Sequence, residues 1–290
     1  MNKQSSNPAT WHNYTERNST DEHTVVGCLK ILEGLHSPQL DNERDILVYL
    51  PPSYQQGGKQ RYPVIYMHDG QNLFDEVTSF AGEWRVDSTM ETLSEEGLEA
   101  IVVGIPNAGP KRIEEYAPFR DLRHGGRRQG DKYLSFITET IKPLIDRDFR
   151  TLPERANTGM IGSSMGGLIT LYGFFQYPET FGFIGAMSPS LWFANQAILS
   201  YIKEAPFYPG KIYVDIGSLE YAGRVNDGMA SGERTIKPYQ GSVGQLRDLL
   251  EQKGYRPGSD LYCVEEEGAG HDEAAWAKRL PEAIRFLLNK

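Results

Sequence analysis

The chain has 290 residues, 39% of them hydrophobic and 24% charged, with a formal net charge of −9 and a pI of about 5.3. That acidic balance argues against nucleic acid or an anionic membrane surface as a partner, because both select a basic face. No apolar run approaches transmembrane length, and a chain of this size can bury one large α/β core.

The first residues, MNKQSSNPATWHNYTERNST, are polar and lack the apolar stretch of a secretion signal. They predict a flexible arm over residues 1–20, followed by a single domain over 21–290, in a cytoplasmic protein. TVVGCLKILEGL and RDILVYLP read as strands that pair antiparallel. YPVIYMHDG and EAIVVGIP are short, almost wholly apolar runs, the signature of parallel strands buried on both faces. Between them EWRVDSTMETLSEEG has helical spacing and stops at Gly97.

Residues Asn107 to Gly130 are rich in Gly, Pro, Arg and Tyr and too long for a simple connection, which marks a functional or mobile loop. Its basic run Arg123 to Arg128 reads as a solvated face. KYLSFITETIKPLIDRDF follows with helical periodicity and a kink expected at Pro143. Strands and helices then alternate: TGMIG, a Ser-Gly turn and helix, FGFIGAMS, ANQAILSYIKE, KIYVDIG, VGQLRDLLEQKG, LYCVEEE and the final helix AAWAKRLPEAIRFLLN. This order predicts an α/β fold with about eight strands, mostly parallel, and helices on both faces. Cys28 and Cys263 fall in distant strand-like runs and read as free buried thiols.

Gly162-Ser163-Ser164-Met165-Gly166 fits G-x-S-x-G at a strand-to-helix turn. In such a nucleophile elbow the glycines relieve crowding and the middle residue, Ser164, stands above the sheet at the positive end of the next helix. Ser163 occupies the variable position. A serine hydroxyl needs a base, and the base an orienting carboxylate, in the chain order Ser, acid, His. Of six histidines only His271 follows Ser164, in a glycine-rich loop before the last helix. The acid belongs just past KIYVDIG, where Glu220, Asp215 and Asp227 are the candidates. The oxyanion hole would use the backbone N–H groups of Met165 and Gln71, with His68 and Asp69 as structural supports. The consecutive His271-Asp272-Glu273 does not make a metal site, and no phosphate- or dinucleotide-binding loop is present, so neither metal nor cofactor is expected.

YPVIYMHDGQNLFD, GSSMGGL, SPSLWF, DIGSLE and GHDEAAWAKRLPEAIRFL together resemble the α/β-hydrolase branch that holds esterase D-like, siderophore (enterochelin-type) and feruloyl esterases and mycolyl transferases. The resemblance runs from about residue 43 to the C-terminus. It implies an α/β-hydrolase fold and a serine carboxylic-ester hydrolase acting on small-molecule esters with short- to medium-chain or aromatic acyl groups. Siderophore, feruloyl and acetyl carbohydrate esters are the alternatives within it. That branch carries its acid in a G-T-x-D/E turn, which Gly217-Ser218-Leu219-Glu220 matches with Ser for Thr, favouring Glu220. It also implies Trp192 as a pocket residue. Ser163 departs from the His usual in formylglutathione hydrolases and disfavours that member. An acyltransferase would share the scaffold and differ in shielding its acyl-enzyme from water. A non-catalytic binding module would ordinarily have lost one of the three reactive residues.

Overall fold

In the computed structural model, which describes residues 10–17, 22–220 and 237–289, nine strands form one sheet in the order β1-β2-β3-β5-β4-β6-β7-β8-β9. They are β1 (His12–Asn13), β2 (Cys28–Ser37), β3 (Asn42–Leu50), β4 (Val64–His68), β5 (Ile101–Ile105), β6 (Thr158–Ser163), β7 (Phe183–Met187), β8 (Lys211–Gly217) and β9 (Leu261–Glu266). The pairs from β1 through β3 to β5 are antiparallel, and those from β5 to β9 are parallel.

The helices are α1 (Tyr14–Arg17), α2 (Pro52–Gln55), α3 (Val86–Glu95), α4 (Arg112–Glu115), α5 (Gly130–Ser135), α6 (Lys142–Asp148), α7 (Met165–Gln176), α8 (Ala197–Glu204), α9 (Lys237–Lys253) and α10 (Glu273–Leu288). Alternate residues of each strand enter opposite cores, as the two-residue period of a strand requires. Val64 and Tyr66 of β4 pack with α5, α7, α8 and α9, while Ile65 and Met67 pack with α3 and α10. No helix of the described residues is long and apolar enough to cross a membrane.

Four expectations need correction. The ninth strand is β1, inside the segment expected to be a flexible arm. His12 and Asn13 pair with Ile31 and Lys30, Trp11 Nε1 donates to Asp148 at 2.9 Å, and the Tyr14 hydroxyl donates to buried Asp75 at 2.9 Å. Residues 10–17 are therefore docked by two aromatic anchors, and the rest of residues 1–20 lies outside the described residues. The helix around Pro143 does not simply kink. Phe136–Ile141 widens to a π-helix, with Lys142 N–H reaching Ile137 O five residues back, and α6 restarts with Pro143 in its first turn. The helix expected from Ala194 begins instead at Ala197, because Ala194, Asn195 and Gln196 are all left-handed. Cys28 and Cys263 are free but only half-buried.

Candidate active site

The parallel strands end on one edge, and the candidate residues lie in the turns that leave it. At the end of β6, Ser164 adopts φ 57° and ψ −118°, a conformation a non-glycine residue holds only when its surroundings impose it. The surroundings do so through hydrogen bonds. Ser164 N–H donates to Met187 O at 3.0 Å, and Ser164 O accepts from Leu168 N at 3.0 Å and Ser190 N at 2.9 Å. The turn leaves no room at Gly162, where a Cβ would sit 2.5 Å from His68 Cδ2 and 2.8 Å from the Gly166 carbonyl carbon.

His271, in the loop between β9 and α10, places Nε2 3.0 Å from Ser164 Oγ and Nδ1 2.9 Å from Glu220 Oε2. Its ring stands edge-on to Trp276, 5.0 Å between centroids. Glu220 is buried in the turn after β8, and its Oε1 accepts from Gly217 N–H at 2.6 Å and from the Ser188 hydroxyl. Ser188 Oγ in turn accepts from Trp276 Nε1 at 2.9 Å and from Arg279 Nη2 at 3.0 Å.

Those contacts fix the protons. Indole and guanidinium nitrogens can only donate, so the Ser188 hydroxyl must direct its own proton to Glu220. Glu220 Oε1 thus accepts twice, as a carboxylate does, and Oε2 is left to accept from His271. An Nδ1–H of His271 therefore donates to Glu220, and in the neutral imidazole the Nε2 lone pair faces Ser164.

Asp215, the other described candidate, is engaged elsewhere. Its Oδ2 accepts from Arg279 Nε at 2.9 Å and the Tyr213 hydroxyl at 3.2 Å, and its Oδ1 from Ser188 N–H at 2.9 Å. Burial pushes its carboxyl up to about 6 against the opposing pull of Arg279. Asp227 lies outside the described residues. Of the two described candidate acids, Glu220 is the one that meets His271.

Met165 is the first residue of α7, and Gln71 stands in the turn after β4, the strand paired to β6. Among the described residues neither backbone N–H has a hydrogen-bond acceptor. The turn is braced from below. Asp69 is left-handed and held by Arg112 through two contacts of 2.6 and 2.8 Å and by Asn107 Nδ2 at 2.6 Å. Gly70 is required there, since a Cβ would meet Gly104, Ile105 and Pro106 backbone atoms at 2.7 Å. His68 is buried between the Tyr133 hydroxyl at 2.7 Å and Thr170 Oγ1 at 3.0 Å, and burial lowers its imidazole to about 4. Trp192 is half-buried, two residues past Ser190, with His124 of the basic loop at 5.3 Å.

Sequence reasoning missed Ser188, Ser190, Arg112 and Arg279. The stretch SPSLWF drew attention to its tryptophan alone, although both its serines touch the reactive chain. Arg279 lies three residues after Trp276, on the same face of α10, and that spacing was a usable signal.

The sequence model of the family described as "Putative esterase" matches residues 37–287. The protein named "Uncharacterized protein YbbA" of Bacillus subtilis is 30% identical over 270 residues, covering 89% of this chain and 98% of that one. The siderophore triacetylfusarinine C esterase of Aspergillus fumigatus is 28% identical over 154 residues, about half of each chain (51% and 51%). Among solved structures, an IroE-like serine hydrolase from Shewanella oneidensis superposes with a TM-score of 0.69 at 20% identity, over 90% of this chain and 80% of that one. The two chains share one fold.

Proposed function

The chain belongs to this esterase family and is a carboxylic-ester hydrolase, and from that premise we propose that it works through a Ser164–His271–Glu220 triad and a covalent acyl-enzyme. Ser164 Oγ attacks the ester carbonyl carbon while its proton passes to His271 Nε2. Glu220 holds the proton on Nδ1 and stabilises the imidazolium that forms. The carbonyl oxygen, now negative, is received by the N–H groups of Met165 and Gln71 at the N-terminal end of α7 and the β4 turn. Collapse expels the alcohol, which takes the proton from Nε2. Water then repeats the sequence on the acyl-enzyme and releases the acid.

One observation carries this reading: the unbroken chain of donors and acceptors from Trp276 and Arg279 through Ser188, Glu220 and His271 to Ser164. We assign the substrate as a small-molecule ester with a short- to medium-chain or aromatic acyl group, bound against Trp192. The name of the siderophore esterase relative supports a small-molecule ester. The described residues act as one domain in this reading.

A serine-directed phosphonate tests it. It should add one equivalent to the peptide containing Ser164, and Ser164→Ala should lower turnover by about 10⁶. Ser163→Ala should change turnover less than about tenfold. Labelling at Ser163, or an active Ser164→Ala, refutes the assignment.

A further inference from the structure

Ser190 is only 1% exposed and lies just after β7. Its backbone N–H is tied to Ser164 O at 2.9 Å, and its Oγ lies 3.2 Å from Ser164 Oγ. Among the described residues that hydroxyl has no other hydrogen-bond partner. The direction of the bond follows from the protons already placed. His271 Nε2 is bare and takes the Ser164 proton, so Ser164 Oγ is the acceptor and Ser190 the donor. A buried hydroxyl is costly unless paired, and this one is paired to the oxygen proposed to attack.

We propose that Ser190 is a catalytic residue that accelerates deacylation more than acylation; this rests on Ser164 being the nucleophile. In the free enzyme Ser164 Oγ is an alcohol oxygen and a good acceptor. In the acyl-enzyme it is the alkyl oxygen of an ester, whose lone pair is drawn into the carbonyl, and the Ser190 hydrogen bond weakens. During deacylation water adds to the acyl carbon and gives its proton to His271 Nε2. The carbon–Oγ bond then breaks, its electron pair returns to Oγ, and Nε2–H supplies the proton. Ser190 donates to Oγ as that pair arrives, and its own proton is not transferred. The bond is thus present in the free enzyme and in both transition states, but weak in the acyl-enzyme. Only interactions stronger in the transition state than in the preceding ground state raise a rate, and here that condition holds for deacylation alone.

The experiment quenches turnover of an activated aromatic ester at millisecond intervals and follows the acyl mass on the Ser164 peptide. In Ser190→Ala the deacylation constant should fall about tenfold, the loss of one hydrogen bond of about 1.4 kcal/mol. The acylation constant should change less than about twofold. In steady state kcat and KM then fall together. Ser190→Thr, which keeps the hydroxyl, should restore deacylation. Unchanged deacylation in Ser190→Ala, or equal losses in both steps, overturns the proposal while the acyl mass on Ser164 upholds the triad. Absence of that mass from wild type removes the nucleophile assignment and this proposal with it.

Discussion

Glu220→Gln changes one atom in the proposed triad, and the surrounding donors dictate how the amide must sit. If its NH₂ replaced Oε1, it would face Gly217 N–H at 2.6 Å and the Ser188 hydroxyl, two donors against a donor. Ser188 cannot turn its proton away, because its acceptor positions are filled by Trp276 and Arg279. That orientation strands two buried donors at about 1–3 kcal/mol each. The amide therefore keeps its oxygen at the Oε1 site and points NH₂ at His271 Nδ1. The imidazole answers by accepting at Nδ1 and carrying its proton on Nε2, which leaves Ser164 without a base. A wrong tautomer of this kind costs about 10³ to 10⁴ in kcat, or roughly 4–5.5 kcal/mol of transition-state stabilisation, with little change in KM. Steady-state kinetics on a chromogenic ester at pH 7–9, with a thermal melt of each protein, measures it. A folded Glu220→Gln enzyme within tenfold of wild-type kcat refutes the reasoning.

Asp215→Asn should act on the fold instead. It removes the nearest counter-charge of the buried Arg279, costing about 3 kcal/mol in a urea titration while kcat stays within about tenfold; a large loss of kcat with unchanged stability contradicts this. His68 gives the protein an acid limit. Its imidazole titrates near 4 when folded and about 6.5 when unfolded, so the unfolded chain takes up its proton first. The stability this contributes is present above about pH 6.5 and is lost as pH falls towards 4, amounting to about 3 kcal/mol. Urea midpoints of wild type and His68→Gln across pH 4–7 check it, and an equally steep loss in the variant would show that another group is responsible. Gly162→Ala should lose activity and at least about 3 kcal/mol of stability, because its new methyl meets His68 and the Gly166 backbone; a stable, active variant would mean the elbow is not as tight as described.

The elbow was legible because its constraint is local. A strand, a glycine, a serine and a glycine before an apolar helix state the turn within ten residues. The placement of His271 beside Ser164 was legible from chain order, and that of Glu220 beside His271 from the turn that the sequence resemblance implies. What could not be read was convergence. Trp276 and Arg279 of α10 meet Ser188 of the β7 turn beside Glu220, and apart from the spacing of the first two on their helix nothing in their own neighbourhoods announces it. Asp215 and Glu220 are both carboxylates near one strand end, and only their partners separate them. The docked N-terminal segment was hidden by its polar composition, which outweighed the two aromatic anchors, Trp11 and Tyr14. The left-handed run at 194–196 is imposed from outside, by Asp121 on the Ala194 N–H and by Ser242 on the Gln196 side chain.

The meeting of Ser188, Trp276 and Arg279 bears on protein engineering. A designer who grafts the elbow, the acid turn and the histidine loop onto a new scaffold would copy the three proposed reactive side chains and leave behind what chooses the imidazole tautomer. In this protein the choice is made by an indole and a guanidinium on the final helix, acting through a serine with no assigned chemistry of its own. The smallest transferable unit therefore includes α10 and the β7 turn. A graft without them should bind the same phosphonate poorly and turn over slowly, however well its three side chains superpose.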